Sequence, residues 1–255
     1  MSHVLTADGG TESLRVRIYD LEGRCVASHA EPYETKFMAG ARAEQNAEDW
    51  WSSLVTATQI CLKEANISGD AIDAMAYATT CCTVVALDKN GAPLRPALMW
   101  MDVRADKEAE AVLETGDQRL ILNGNGQGPV SAEWMIPKAL WLKRNEPKIF
   151  DDAVTICEYQ DYLTMRLTGE RCASLNNIGL RWHYANRDGG WASGIVEKLA
   201  MPDLLEKWPS RVAAPGEVVG NLSAAAAAEL GLSTRTKLVQ GGADALIGMI
   251  GLGVS

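Results

Sequence analysis

The sequence predicts one mixed α/β domain, with antiparallel strands first and parallel crossovers after. Three observations lead there. Residues 14–19 alternate apolar and polar side chains, as a strand with one buried face does. A stretch with helical periodicity then separates this region from a second apolar strand, the pattern of a parallel crossover. No internal repeat, low-complexity linker or block of five like charges divides the 255 residues.

Residues 3–35 read as a meander of two or three antiparallel strands. Leu14, Val16 and Ile18 alternate with Arg15, Arg17 and Tyr19, and Gly9-Gly10 and Glu22-Gly23 supply turns. Next, Asn46 stands as an N-cap with Asp49 three residues on, and Trp50, Leu54, Ala57 and Cys61 recur at helical spacing. One face of that helix should be buried. Residues 71–80 read as a buried strand and residues 83–98 as a hairpin about Lys89-Asn90-Gly91. Helices are expected at 105–114, at 137–145 with Pro137 in the first helical position, at 159–169, and at 224–231 with Gly231 ending it. A strand at 236–242 then runs into a last apolar helix at 245–254.

With 47% hydrophobic and 22% charged residues the chain can bury one large core or two modest ones. Its 24 Lys and Arg against 33 Asp and Glu give a net charge of −9, which disfavours nucleic acid and anionic membrane as partners and points to a small molecule. The first ten residues lack a signal peptide's basic start and apolar core, and no apolar run reaches membrane-spanning length, so a cytoplasmic protein is expected. Cys25, Cys61, Cys81, Cys82, Cys157 and Cys172 show neither C-x-x-C spacing nor pairing with the three histidines, and read as reduced thiols that mostly fill core.

Four stretches could carry chemistry. Asp8-Gly9-Gly10-Thr11-Glu12-Ser13 is either an ordinary hairpin turn or a cradle whose backbone N–H groups, with the Thr11 and Ser13 hydroxyls, hold phosphate oxygens; Asp8 could then hold Mg²⁺ through water. Trp100, Asp102 and Arg104 alternate, and on an extended chain would share one side, giving a polyol an indole platform beside two charged groups; the alternative is a surface Asp–Arg pair beside a core tryptophan. Glu133, ahead of the Pro137 helix, is a first-turn acid or a sugar ligand. Asp244 is a plain N-cap or a general base, since Gly241, Gly242 and Ala243 clear space beside it that a cap does not need. Gly124, Gly126 and Gly128 resemble a dinucleotide loop only superficially, because Pro129 breaks the spacing.

Taken in order, these residues resemble the FGGY family of carbohydrate kinases. Asp8, Gly10, Thr11, Ser13 and Arg15 match its first phosphate motif, D-x-G-T-x-S-x-R; "LRPALMWMDVRA" matches its sugar-site segment; "GGADALIGMIGLGV" is similar to its catalytic segment. The resemblance implies a ribonuclease-H-like fold shared with actin and the chaperone ATPases, a mixed sheet flanked by helices. Residues 1–255 would form the first, sugar-binding domain, with 245–255 leading toward a second, ATP-binding domain after Ser255. It further implies ATP-dependent phosphorylation of a ketopentose or related polyol with Mg²⁺, Asp244 as base, and Cys82, Trp100, Asp102, Arg104, Glu133 and Arg181 about the sugar. A homodimer is left open, as is a non-catalytic sugar-binding module. "VSAEWMIPKALWL" is similar to the ribulokinase pattern and "ATTCCTVVALD" to a pentulose-kinase segment, while the Gln-Met-His of xylulokinases is absent. Arg181 stands where the family carries Lys, and Glu12 departs from the first motif.

Overall fold

A computed structural model describes residues 2–122 and 130–253. The expected meander is β1 (His3–Gly9), β2 (Ser13–Asp20) and β3 (Cys25–Pro32), each antiparallel to the next. Leu14, Val16 and Ile18 are fully buried, whereas Arg15, Arg17 and Tyr19 are partly exposed. Short strands β4 (Lys36–Met38) and β5 (Arg42–Gln45) lead to α1 (Ala47–Ala65), whose N-cap Asn46 accepts the Glu48 N–H at 3.3 Å and bonds the Asp49 carboxylate at 2.9 Å. Trp50, Leu54, Ala57 and Cys61 form its fully buried stripe and share one core cluster with the inward residues of β2.

The crossover follows: β6 (Ile72–Thr79) lies parallel to β1. β7 (Val84–Leu87) and β8 (Ala97–Leu98) form the hairpin about Gly91. After α2 (Asp106–Glu114) comes α3 (Met135–Asn145), which begins two residues before Pro137. Pro137 is therefore its third residue, still in the first turn, where the missing N–H has no helical acceptor to lose. The chain continues through α4 (Pro147–Asp152), β9 (Thr155–Glu158), α5 (Tyr159–Thr168), β10 (Cys172–Ser174), α6 (Leu175–Arg181), α7 (Ser193–Lys198), α8 (Leu204–Lys207), β11 (Arg211–Ala213) and β12 (Val218–Asn221). It closes with α9 (Ala224–Leu230), β13 (Lys237–Val239) and α10 (Asp244–Gly251). Gly169 and Gly231 end α5 and α9 in the left-handed conformation, at φ 83° and 71°.

The mixed sheet runs β12-β13-β6-β1-β2-β3, with β13, β6 and β1 mutually parallel. A second, antiparallel sheet runs β4-β5-β8-β7-β9. The first sheet lies in one hydrophobic cluster, which Val85, Leu87, Ala97 and Cys157 of the second sheet also join, while Val84 and Leu98 of the second sheet belong to another cluster with Leu140, Phe150, Trp182 and Trp208. The parallel strands all end on one side, and there their carboxyl ends are stitched together. Thr79 N–H donates to Gly242 O at 3.2 Å and Thr80 N–H to Gly9 O at 2.9 Å. In sheets with parallel strands that edge is where ligands bind. The Gly124–Pro129 stretch lies outside the described residues.

Candidate active site

Two depressions open at this edge. A cleft of about 860 Å³ is lined by Asp8 and Gly10 from the first hairpin, by the ends of β6 and β13, and by α10. A smaller cavity of about 300 Å³ is lined by Thr11, Thr80, Cys81, Cys82, Trp100, Glu133, Trp134 and Arg181. Among the described residues Asp244 alone lines both.

Glycine places Asp244 there. A Cβ on Gly241 would sit 1.7 Å from the Tyr77 carbonyl oxygen, and one on Gly242 would sit 2.5 Å from Asn176 Oδ1. That same Oδ1 accepts the Ala243 N–H at 2.9 Å. The room beside Asp244 is therefore filled by the protein's own β6 and α6, not kept open for a substrate as the sequence suggested. Its effect is to let the chain leave β13 against β6 and aim the first residue of α10 at the seam. Asp244 is that first residue, the cap being Ala243, so the N-cap reading fails too. Burial is the largest influence on its carboxyl and pushes it above the ordinary range; the Ala245 N–H at 2.7 Å pulls it back, and the charge of Asp8 adds to the rise. A carboxylate raised in this way is a stronger base than a free one.

The hairpin tip is tightly organised. Gly10 N–H closes the turn on Ser13 O at 3.0 Å, so this amide is spent within the turn. A Cβ on Gly9 would meet the Tyr159 hydroxyl at 2.7 Å, and Tyr159 stacks on Trp50 with centroids 3.8 Å apart. Gly9 is thus required by the core, and Gly10 and Asp8 face the cleft. Thr11 accepts the Trp100 indole N–H at 3.1 Å and keeps its own O–H to give. Ser13 and Arg15 lie on β2, with Arg15 opposite Asp8, and line neither depression.

Residues 100–104 depart most from expectation. Asp102 N–H donates to Met99 O at 3.0 Å, which makes the segment a turn in place of an extended strand. Alternate residues then face different ways. Trp100 faces the cavity, but Asp102 is fully buried, taking N–H groups from Ala43 (2.7 Å) and Arg104 (3.0 Å) and the Arg104 guanidinium at 2.8 and 2.7 Å. Arg104 also pairs with Glu44 at 2.8 Å and lies over the Trp141 ring. Burial opposes the charge on Asp102, yet the Arg104 and Ala43 bonds hold its carboxyl below the ordinary range. The pair braces the turn that presents Trp100 and does not reach the cavity, so direct sugar contact by Asp102 and Arg104 is not what the structure provides. Cys82, Glu133 and Arg181 do line it, with Arg181 over the Trp134 ring at 5.1 Å. Glu133 precedes the α3 cap, Trp134, and is not a first-turn acid.

The sequence reading missed three residues. Lys138, fully buried, donates to Cys82 O (2.8 Å), Met99 O (2.6 Å) and Trp100 O (3.3 Å), tying the two cavity-lining turns together. Glu158 accepts Cys82 N–H (3.0 Å), Asn177 Nδ2–H (3.0 Å) and Trp182 Nε1–H (2.7 Å). Between them they hold Cys82 at φ 67°, a left-handed conformation rare for a residue with a Cβ. Thr80 lines the cavity, and its buried Oγ1 has no hydrogen-bond partner among the described residues. A lysine and a glutamate within apolar runs carry no spacing signal; the orphaned hydroxyl exists only in three dimensions.

The sequence model of the FGGY family of carbohydrate kinases, N-terminal domain, matches residues 3–251. Among curated proteins, a xylulose kinase of Bacillus subtilis (strain 168) is 27% identical over all of this chain and 50% of its own length. An autoinducer-2 kinase of Klebsiella pneumoniae is 30% identical over all of this chain and 48% of its own. The chain thus spans about half the length of these relatives. Among solved structures, ligand-bound xylulose kinase from Lactobacillus acidophilus superposes with a TM-score of 0.85 at 21% identity, over 99% of this chain and 50% of that one. Plasmodium falciparum glycerol kinase with ADP gives 0.79 at 19%, over 95% and 48%. The fold is that of the actin-like sugar kinases. No helix among the described residues is long and apolar enough to cross a membrane.

Proposed function

The chain belongs to the FGGY family of carbohydrate kinases, and on that premise we propose that it is the sugar-binding half of a kinase that phosphorylates a terminal hydroxyl of a ketopentose or related polyol from ATP. The observation that carries this is the position of Asp244, on the wall shared by the 860 Å³ cleft and the 300 Å³ cavity. A hydroxyl held in the smaller cavity has Asp244 as its proton acceptor on the side that faces the hairpin. Trp100 offers the apolar face of the sugar a platform, and Glu133 and Arg181 fix its hydroxyls. Asp8, Gly10 and Thr11 face the place a γ-phosphoryl group would take, while Ser13 and Arg15 support the hairpin from β2. Asp102 and Arg104 act through Trp100 as positioning residues.

Mg²⁺ fits this donor set. Asp8 and Asp244 present hard oxygens to one cleft, and magnesium is held by one or two carboxylates while it keeps waters and substrate phosphates. Bound there, through water on Asp8, it would supply the positive charge that phosphoryl transfer needs. The remaining work is positioning and removal of one proton, which the residues above perform. The proposal includes a cytoplasmic setting, which suits six free cysteines.

The relatives are named for xylulose and for autoinducer-2, so membership alone does not choose the sugar. The ribulokinase-like segments favour a ribulose-type ligand. Calorimetry of this chain against D-ribulose, L-ribulose, D-xylulose and ribitol tests the class, and an absence of heat across a wider sugar panel would sink it. In a protein that joins this chain to a nucleotide-binding half, Asp244→Asn should keep sugar affinity and lose roughly 10²-fold in turnover, the usual contribution of a positioned base. Wild-type turnover in that variant removes Asp244 from the role. The second reading is a sugar-binding module without catalysis. Sugar-dependent phosphoryl transfer by a protein that joins this chain to a nucleotide-binding half would exclude it, while residues 1–255 alone should show no sugar-dependent ATP hydrolysis.

A further inference from the structure

Cys81 and Cys82 adjoin each other on the wall of the smaller cavity, and their Sγ atoms are 3.8 Å apart. Both are free thiols. Side chains of neighbouring residues on an extended strand point to opposite faces. Here they converge because Cys82 is held at φ 67° by Glu158 on its N–H and Lys138 on its carbonyl. The protein thus spends two buried charged side chains on a turn that brings two sulfurs together beside a ligand cavity.

The separation has a chemical meaning. Two metal–thiolate bonds of about 2.3 Å at a tetrahedral angle span about 3.8 Å, so the sulfurs already stand at the bite of a chelate around one soft atom. Among the described residues no group of three or more His, Cys, Asp and Glu is placed to hold a metal ion. The thiophile must therefore bring its remaining ligand with it. A monosubstituted trivalent arsenical does so: its carbon substituent fills one arsenic valence and two thiolates fill the others.

We propose that Cys81 and Cys82 form a vicinal-dithiol site for trivalent arsenicals, sharing its cavity with the sugar so that the two ligands exclude each other. The exclusion rests on the sugar reading of that cavity; the chelation does not. The step is a condensation without redox change. An arsenic oxide R–As=O meets two S–H groups, two As–S bonds form, the As=O bond is lost, and its oxygen leaves as water with the two thiol protons. The hydrogen bond from Cys82 lowers the Cys81 thiol below its usual range, against its burial, which favours Cys81 as the first sulfur to attack. Cys25 is exposed and stands apart from this pair, while Cys61, Cys157 and Cys172 are buried.

The probe is phenylarsine oxide on residues 1–255. Intact-mass and free-thiol titration should show one arsenical per chain with two thiols lost, an adduct that survives excess monothiol and is stripped by a dithiol. Cys81 is only partly buried, so Cys81→Ser should fold, as thermal melting would confirm, and should load at least tenfold more weakly. Cys25→Ser should load as wild type. An adduct that persists in Cys81→Ser, or one that monothiol removes, overturns the site. For the second arm, a sugar that binds calorimetrically should slow loading at least tenfold, and the loaded chain should give no sugar heat. Unslowed loading beside a bound sugar overturns the shared cavity. If no sugar binds, the function proposed above falls while the chelation result still reads.

Discussion

Lys138→Met isolates the clamp behind the smaller cavity. The ammonium is fully buried and its only hydrogen bonds among the described residues go to the carbonyls of Cys82, Met99 and Trp100. Burial, the main influence, drives its pKa from 10.5 down to about 8, so the charged form costs about 3 kcal/mol at neutral pH. Methionine removes that cost but leaves three carbonyls without their donor, each worth about 1–3 kcal/mol when buried. The carbonyl losses win, as they do when one partner of a buried charged network is deleted. A net destabilisation of about 3 kcal/mol is expected in urea unfolding at pH 7, followed by tryptophan fluorescence. The pH leg fixes the sign. Because the folded pKa is depressed, below pH 8 both states hold the proton and the burial cost is fully present. Between pH 8 and 10.5 the unfolded chain binds a proton that the folded one has released, so wild-type stability rises relative to the variant by about 1.4 kcal/mol per pH unit. A variant as stable as wild type at pH 7, or a gap that does not widen above pH 8, refutes the reasoning.

Three further outcomes are expected. Thr80→Val keeps the shape and deletes a buried hydroxyl that has no partner, so unfolding free energy should stay level or rise by about 1 kcal/mol while calorimetric sugar affinity falls about tenfold. Gly242→Ala drives a Cβ into Asn176 and breaks its bond to Ala243 N–H, so a loss of about 1–3 kcal/mol is expected in thermal unfolding, accompanied by weaker turnover wherever the chain is part of an active kinase. Asp8→Asn removes a like charge facing Asp244, so the Asp244 carboxyl, followed by carbon-detected NMR, should titrate at lower pH than in wild type.

Much of the fold was legible because it is written in local periodicity. The alternation in β2 and the Trp50-Leu54-Ala57-Cys61 stripe each placed an element and its buried face. The second sheet was largely illegible. β9 is four residues, all buried, and a short apolar run bears no period that separates strand from helix. At the site, chemically conspicuous residues singled out from sequence do line the two depressions: Asp8, Gly10, Thr11 and Asp244 beside glycines, and Trp100 within an apolar run. Asp102 and Arg104 misled because alternation implies a shared side only on an extended chain, and the Met99–Asp102 turn breaks that condition.

The errors share a physical origin. A glycine says that space is needed, but not who needs it. Gly241 and Gly242 give their space to the Tyr77 carbonyl and to Asn176, and the reward appears one residue later, in where Asp244 points. A buried charge likewise says that polar groups must meet it, but not which. Lys138 and Glu158 meet the two ends of Cys82, and the result appears in the cavity wall and not at the charges themselves. In both cases the residue that lines a depression is set by one, Gly242 or Lys138, that does not. The site is therefore specified by a backbone path, with Asp244 and Cys82 fixed at its two turning points, and substitutions along that path, as at Lys138 and Gly242, should lower stability together with activity or affinity.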